Sequence, residues 1–472
     1  MPSSVSAALM GSMSGVELLL PTRAGRRARP RLAHRLATTG VLWTAAAANA
    51  GVIVWLWLHG GGVSAVHTWG DLATSTGRLT GLLGAYFALV QVLLLARLPW
   101  LERTCGFDRL TVWHRRNGKL TLYLILAHVV LITIGYASMD RISVPSEVSR
   151  LLSSYPGMIT ATVGTALFIV VVVSSLVIAR RRLPYEAWYA VHVTVYAAIA
   201  LSWFHEVPTG NEFSASAVAA DYWLSLYLAT LAILVVFRVL APLARSFGHG
   251  LRVEEVVVEG PDVVSVRIGG RRLARLDARA GQFFLWRFLS RPGRWWEAHP
   301  FSLSSAPDGR SFRITVKGVG GYTRALAGLR PGTRVVAEGP FGAFTDAVRH
   351  RDKVLLVAGG IGITPVRSLL DEMDCDLAVL YRVVRDEDVV FRDELDELAL
   401  ERGVPLQYVV GDHAAPGGDR LLSPEHLREL VPDVAEREVF LCGPPAMTNA
   451  IEKSVRAAGV PRRYVHVERF AL

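Results

Sequence analysis

Trp113-His114-Arg115-Arg116-Asn117-Gly118-Lys119-Leu120-Thr121-Leu122-Tyr123-Leu124-Ile125-Leu126-Ala127-His128 leads into a long apolar run and carries two histidines 14 residues apart. A second apolar run repeats the arrangement with His192 and His205, 13 residues apart. As helices rising roughly 1.5 Å per residue, each pair spans about 20 Å, some two-thirds of a bilayer core. Two such helices side by side offer two facing His–His clamps at two depths. A flat metallocofactor between neutral imidazoles suits such a clamp, and haem is the candidate.

The flanking sequence gives these runs a membrane setting. Six segments, approximately 37–58, 78–97, 115–137, 157–179, 187–205 and 221–243, are apolar and long enough to cross a bilayer. Arginines gather at alternate ends: Arg97, Arg103, Arg109, Arg115 and Arg116 after the second, Arg180, Arg181 and Arg182 after the fourth, Arg238 and Arg245 around the end of the sixth. The positive-inside rule then places both termini in the cytoplasm. The third and fifth segments run outward together, which pairs His114 with His192 at the inner level and His128 with His205 at the outer level. At about 100° per residue, 14 residues return within ~40° of one face, whereas 13 miss it by ~140°. The fifth helix must therefore tilt, bend or carry a local irregularity. His59 and His67 read as ordinary interface residues.

Composition agrees. Mean hydropathy is +0.33, with the apolar excess before about residue 240. The net charge of +10 resides largely in arginines beside hydrophobic segments, so orientation in membrane lipid explains it and nucleic-acid binding is excluded. Three scattered cysteines, Cys105, Cys375 and Cys442, argue against a disulfide scaffold, a zinc site or an iron–sulfur cluster. Residues 1–36, rich in arginine, read as a disordered basic cytoplasmic arm. Residues 37–245 form the six-helix transmembrane domain.

From about 246 the periodicity changes. Val253–Val258, Val263–Ile268, Phe283–Phe288 and Phe312–Lys317 alternate with period two, the pattern of a small antiparallel β-barrel over 246–347. Two motifs lie inside it: His299-Pro300-Phe301-Ser302, and Gly320-Gly321-Tyr322-Thr323 ahead of a helix. Residues 348–472 alternate strands and helices, predicting a doubly wound α/β domain. Its strand Lys353–Val357 runs into Gly359-Gly360-Ile361-Gly362-Ile363-Thr364, a strand–glycine turn–helix arrangement suited to a dinucleotide pyrophosphate. Arg382 and Arg385 follow the next strand, where a basic residue favours NADPH over NADH. A later strand ends at Cys442-Gly443-Pro444, on the carboxyl edge where such folds bind ligands.

In this order the barrel motif, glycine turn and Cys-Gly-Pro-Pro resemble the ferredoxin–NADP reductase family. Fused behind six helices with paired histidines, they resemble the NADPH oxidase and ferric reductase superfamily over residues 37–472. The resemblance implies FAD, two b-type haems and NADPH or NADH as cofactors. It assigns His114, His128, His192 and His205 to haem iron. It assigns His299, Pro300, Phe301 and Ser302 to FAD, with Ser302 near the flavin N5 and His299 standing where the commoner motif has arginine. Gly321, Tyr322 and Thr323 match the second flavin phosphate segment. Gly359, Gly360, Gly362 and Thr364 match the nicotinamide-dinucleotide turn, with Cys442, Gly443 and Pro444 beside the nicotinamide. Phe470, followed here by Ala471 and Leu472, resembles the aromatic that covers the flavin. Arg78, expected at the outer start of the second helix, resembles an arginine near the outer haem and the acceptor. The implied activity is electron transfer from cytosolic NAD(P)H to an outside acceptor, either O₂, with superoxide formed, or ferric iron. A membrane subunit supplying electrons to a protein partner is the alternative. The oligomeric state stays open.

Overall fold

The computed structural model describes residues 32–176, 183, 185–210, 216–290, 297–415 and 418–470. The expected arm, up to residue 31, and Arg180–Arg182 lie outside them, and helix already begins at Leu32. The first half comprises α1 (Leu32–His59), α2 (Trp69–Leu94), α3 (Pro99–Cys105), α4 (Phe107–Asp140), α5 (Val144–Ser154), α6 (Met158–Ser175), α7 (Tyr185–Val193), α8 (Val195–Thr209) and α9 (Ala217–Leu234). A π-helical turn, Val235–Leu240, joins α9 to α10 (Ala241–His249). Among the described residues six helical stretches are long and apolar enough to cross a membrane: Thr39–His59, Trp69–Leu94, Arg109–Asp140, Met158–Ser175, Ala187–Thr209 and Ala217–His249.

Two of these differ from the sequence expectation. The second begins at Trp69, not at 78, because Thr68 and Asp71 close a capping box. The Thr68 hydroxyl accepts from the Asp71 N–H at 3.2 Å, and the Asp71 carboxylate accepts from the Thr68 N–H at 2.8 Å. Hydropathy alone misses this start, since the first turns hold Gly70, Asp71, Thr74 and Ser75. Arg78 therefore sits in the third turn of α2 rather than at its mouth. The fifth is interrupted: α7 stops at Val193 and α8 resumes at Val195, with the Thr194 N–H bonded back to Val191 in a tighter turn.

Helices α2 and α4 pack backbone to backbone. Gly70, Gly77 and Gly84 recur every seven residues on α2 and face α4. A Cβ on Gly77 would sit 3.0 Å from the Ile132 nitrogen, and one on Gly135 of α4 would sit 2.8 Å from the Thr74 nitrogen. Small residues allow this approach, and in lipid it is close packing that holds helices together.

The second half holds β1 (Arg252–Gly260), β2 (Val263–Gly269), β3 (Phe283–Phe288), β4 (His299–Ser302), β5 (Ser311–Lys317), α11 (Gly321–Ala325) and β6 (Val335–Phe341). They form two antiparallel sheets, β1-β2-β5 and β4-β3-β6, with isolated bridges Arg252↔Arg334 and Leu303↔Ile314 between their edges. Their common core includes Val266, Ile268, Phe284, Trp286, Phe312 and Ile314. The sequence reading passed over β4 and β6, which contain Pro300 and Pro340. Both strands lie at the edges of their sheet, where a missing N–H is tolerated.

Next come β7 (Lys353–Gly359), α12 (Ile363–Glu372), β8 (Asp376–Val383), α13 (Arg392–Arg402), β9 (Leu406–Val410), α14 (Pro424–Leu430), β10 (Glu438–Gly443), α15 (Pro445–Ala457) and β11 (Val465–Arg469). The five strands make one parallel sheet, ordered β11-β10-β7-β8-β9. Strand β7 is buried from Val354 to Gly359, as expected of a strand covered on both faces.

The glycine seam is testable. Gly135→Val drives a branched side chain into the α2 backbone, which overpacking data put at about 1–3 kcal/mol. The melting temperature of the detergent-solubilised protein should fall. Gly51→Ala on α1, whose added Cβ meets nothing within 4 Å, should leave it unchanged.

Candidate functional site

The four histidines meet in two pairs. The rings of His114 and His192 lie 5.9 Å apart between centroids, and those of His128 and His205 lie 6.5 Å apart. The Nδ1 of each ring is engaged. His114 donates to the Gln91 carbonyl at 3.0 Å and His128 to the Gly77 carbonyl at 2.8 Å. His192 faces the Ser175 hydroxyl at 3.2 Å and His205 the Thr209 hydroxyl at 3.1 Å. Each hydroxyl already donates to a backbone carbonyl, Ser175 to Val171 and Thr209 to His205, so its oxygen accepts from the imidazole. All four rings are thus held as the Nδ1–H tautomer, leaving Nε2 as a bare acceptor. Two acceptors cannot bond one another, but a metal between them satisfies both. Metal–imidazole bonds of roughly 2 Å on either side place ring centroids about 6 Å apart, so the spacing fits.

Glycines make room for this. A Cβ on Gly81 would lie 2.5 Å from the His128 Nδ1, and one on Gly157, at φ +72°, would strike the Phe204 carbonyl beside His205. The sequence reading found the four rings but not Gln91, Gly77, Ser175 and Thr209, which orient them. The heptad of glycines on α2 was the available signal for the first two.

The two halves of the chain are joined by more than a linker. Helix α10 continues from the sixth span onto β6, where the Ser246 hydroxyl accepts from the Ala337 N–H at 3.0 Å and Arg245 donates to the Gly339 carbonyl at 3.3 Å. Beside it Glu338, almost wholly buried, is paired with Arg97 from the loop after α2 and with Arg287 of β3. The Arg97 guanidinium also lies 5.6 Å from the Phe341 ring centre. Burial, then the nearby Arg238 and Arg287, pull Arg97 down to about 9, which keeps it charged at neutral pH. Because α2 ends beside the start of α4, this cluster sits at the His114–His192 end of the bundle.

In the second half, residues matched to different cofactors come together. The Ser302 and Thr364 hydroxyls share a 2.7 Å hydrogen bond between β4 and α12. His299 stacks on Tyr322 with ring centroids 3.8 Å apart, and on Phe301 at 6.3 Å. Thr323 closes the turn, its hydroxyl accepting from the Gly320 N–H at 2.9 Å ahead of Gly321. Gly360 adopts φ +51°, and a Cβ on Gly362 would strike the Cys442 carbonyl, so the glycine turn and Cys442-Gly443 lie against each other. Pro444 leads directly into α15. Cys442 is fully buried, and burial pushes its thiol well above the ordinary value, so it is neutral. Phe470 packs on the core cluster that includes Cys442, and its N–H reaches the Gly443 carbonyl at 3.4 Å. Ala471 and Leu472 lie outside the described residues. Arg382 is turned inward, donating to the carbonyls of Val383 and Val409. Arg385 is paired with Glu387 and Asp388.

Removing one partner of a buried ion pair typically costs about 3–5 kcal/mol, because a charge is left uncompensated. Glu338→Ala should therefore lower the melting temperature markedly. Arg97→Leu combined with Glu338→Leu should recover part of the loss, as read by thermal unfolding of the purified protein.

Residues 80–203 match the family described as ferric reductase like transmembrane component, which takes in His114, His128 and His192 and stops short of His205. Residues 249–345 match an FAD-binding domain and residues 356–453 an oxidoreductase NAD-binding domain. Ferredoxin--NADP reductase B of Sorangium cellulosum is 33% identical over 187 residues, 36% of this chain and 77% of that protein. NADH-cytochrome b5 reductase 1 of Ajellomyces capsulatus is 31% identical over 176 residues, 33% of this chain and 56% of that protein. The solved FAD/NAD-binding domain of nitric oxide dioxygenase from Vibrio cholerae is 25% identical, covering 47% of this chain and 98% of that one, with a TM-score of 0.40. A ferric-reductase-like membrane domain followed by FAD- and NAD-binding domains makes this chain an oxidoreductase belonging to the NADPH oxidase and ferric reductase superfamily.

Proposed function

We propose that the chain carries electrons from cytosolic NAD(P)H across a plasma membrane to an acceptor on the far side, either O₂ or a ferric chelate. The observation that carries this reading is the pair of His–His clamps, each ring fixed as a tautomer that leaves Nε2 for a metal. His114 with His192 would hold one b-type haem at the reductase end of the bundle, and His128 with His205 would hold the other at the opposite end. When bound, FAD and haem would supply the chemistry that turns a hydride's electron pair into single-electron transfer, and the four imidazoles would be the residues that hold the haems.

The remaining work falls to named residues. The two antiparallel sheets act as a six-stranded barrel carrying FAD, with Ser302 at the flavin ring and Pro300 and Phe301 shaping the approach. His299, Gly321, Tyr322 and Thr323 line the flavin phosphates. Gly359, Gly360, Gly362 and Thr364 present backbone N–H groups and a hydroxyl to the dinucleotide pyrophosphate at the start of α12. The neutral Cys442, with Gly443 and Pro444, borders the nicotinamide site, and Phe470 covers it until nicotinamide displaces the ring. Since Arg382 is spent on backbone carbonyls, a grip on a 2′-phosphate requires that side chain to turn outward. Arg78, one residue from the carbonyl that holds His128, supplies positive charge beside the outer clamp.

The purified protein should show two low-spin b-type haems per chain in reduced-minus-oxidised spectra. His128→Leu or His205→Leu should remove one, and His114→Leu or His192→Leu the other, with flavin reduction by NADPH preserved. Retention of both haems in these variants would refute the pairing. Superoxide formation, compared with anaerobic reduction of ferric chelates, identifies the acceptor, and inactivity with both points to a protein partner.

A further inference from the structure

The amino-terminal edge of the parallel sheet holds a second group of metal-ligating side chains. His350 precedes β7, Glu438 opens β10 and His466 lies in β11, so three separate segments converge. One ligand atom from each lies within 4.8 Å of the others. Glu438 is fully buried, His466 partly buried, and His350 half-exposed. The carboxylate is fixed as a ligand should be. Its Oε2 accepts from the backbone N–H groups of His350 at 2.6 Å and Arg351 at 2.7 Å. Its Oε1 is left between the His466 Nε2 at 2.6 Å and the His350 Nδ1 at 3.3 Å. Burial alone would push the Glu438 carboxyl up, but hydrogen bonds from His466 and these N–H groups bring it below its ordinary value, so it is ionised.

We propose that His350, Glu438 and His466 form a site for a borderline divalent cation of the zinc class, apart from the electron path. Two imidazoles and one carboxylate suit such ions, and the exposed side of His350 leaves room for a water as fourth ligand. The competing cations are occupied elsewhere. Arg351 stacks on Tyr464 at 3.9 Å and bonds to the Ala435 carbonyl, and Lys353 is paired with Asp433 and Glu436. The glycine turn and Cys442 lie at the opposite, carboxyl ends of β7 and β10. Strand β11 connects the two regions, for it contains His466 near its start and ends at Arg469, just before Phe470. A bound cation would brace that strand.

The test uses full-length, tag-free protein loaded with flavin and haem, titrated with chelator-buffered zinc. Metal content and melting temperature are read together. One zinc per chain and a zinc-dependent rise in melting temperature are expected. His350→Gln, at the half-exposed position, should weaken binding by at least about tenfold, the low end for losing a metal-site residue. It should abolish the thermal shift while NADPH–ferricyanide activity stays unchanged. Equal uptake by the wild type and His350→Gln, or no uptake by either, would leave only a hydrogen-bonded staple and overturn the proposal.

Discussion

An imidazole inside an apolar slab has two nitrogens to satisfy and no water to satisfy them with. This constraint organises the membrane half. Each of the four rings gives its Nδ1–H to a protein oxygen, and each oxygen is available for a physical reason. Gln91 lies in the last turn of α2, where a helical carbonyl has no partner further along the chain. Gly77 lies in mid-helix, and its carbonyl accepts from His128 as well as from the Thr80 hydroxyl, because the glycine seam admits the ring. Ser175 and Thr209 sit at or near helix ends and have already spent their own protons on backbone carbonyls. What remains at each ring is the Nε2 nitrogen, and the rings come together in pairs at two depths.

The interruption at Thr194 belongs to the same constraint. Thirteen residues of regular helix would turn His192 and His205 to opposite sides. The tighter turn between α7 and α8 alters the phase between them, and both rings reach α4. The close approach of Gly157 to the Phe204–His205 backbone then seats the outer ring. Helix irregularity here is the means by which an unfavourable spacing becomes a usable one.

Much of this was legible in the sequence, though unevenly. The histidine pairs, their partners and the need for an irregular fifth span follow from spacing and helical phase. Strands β1, β2, β3, β5, β7, β8 and β10 follow from alternation or unbroken apolar runs. What escaped depended on pairing between distant segments. Strands β4 and β6 carry proline and are defined only by their hydrogen bonds to β3. The start of α2 was written in Thr68-Trp69-Gly70-Asp71, but its polar first turns hid it from a hydropathy reading. Arg97, Arg287 and Glu338 come from three separated stretches, and nothing local distinguishes Arg97 from the other arginines that flank the apolar segments. Arg382 occupies its expected place in the sequence, yet its side chain points inward, an orientation spacing does not determine.

The Arg97–Glu338–Arg287 cluster raises the question of why charge is buried at all. An apolar contact of the same volume would often be as stable or more so. A charged cluster, however, tolerates few arrangements, because any displacement leaves an uncompensated ion. Helix α10 already fixes the reductase module to the sixth span along one line, and contact along one line leaves rotation about it. The guanidinium of Arg97, in the loop just after the second span, supplies a point off that line. Two attachments to different helices define an orientation, and that orientation keeps the module on the His114–His192 end of the bundle. For a protein whose working distances must be held across three domains, a specific orientation is worth more than the stability an oily contact would add.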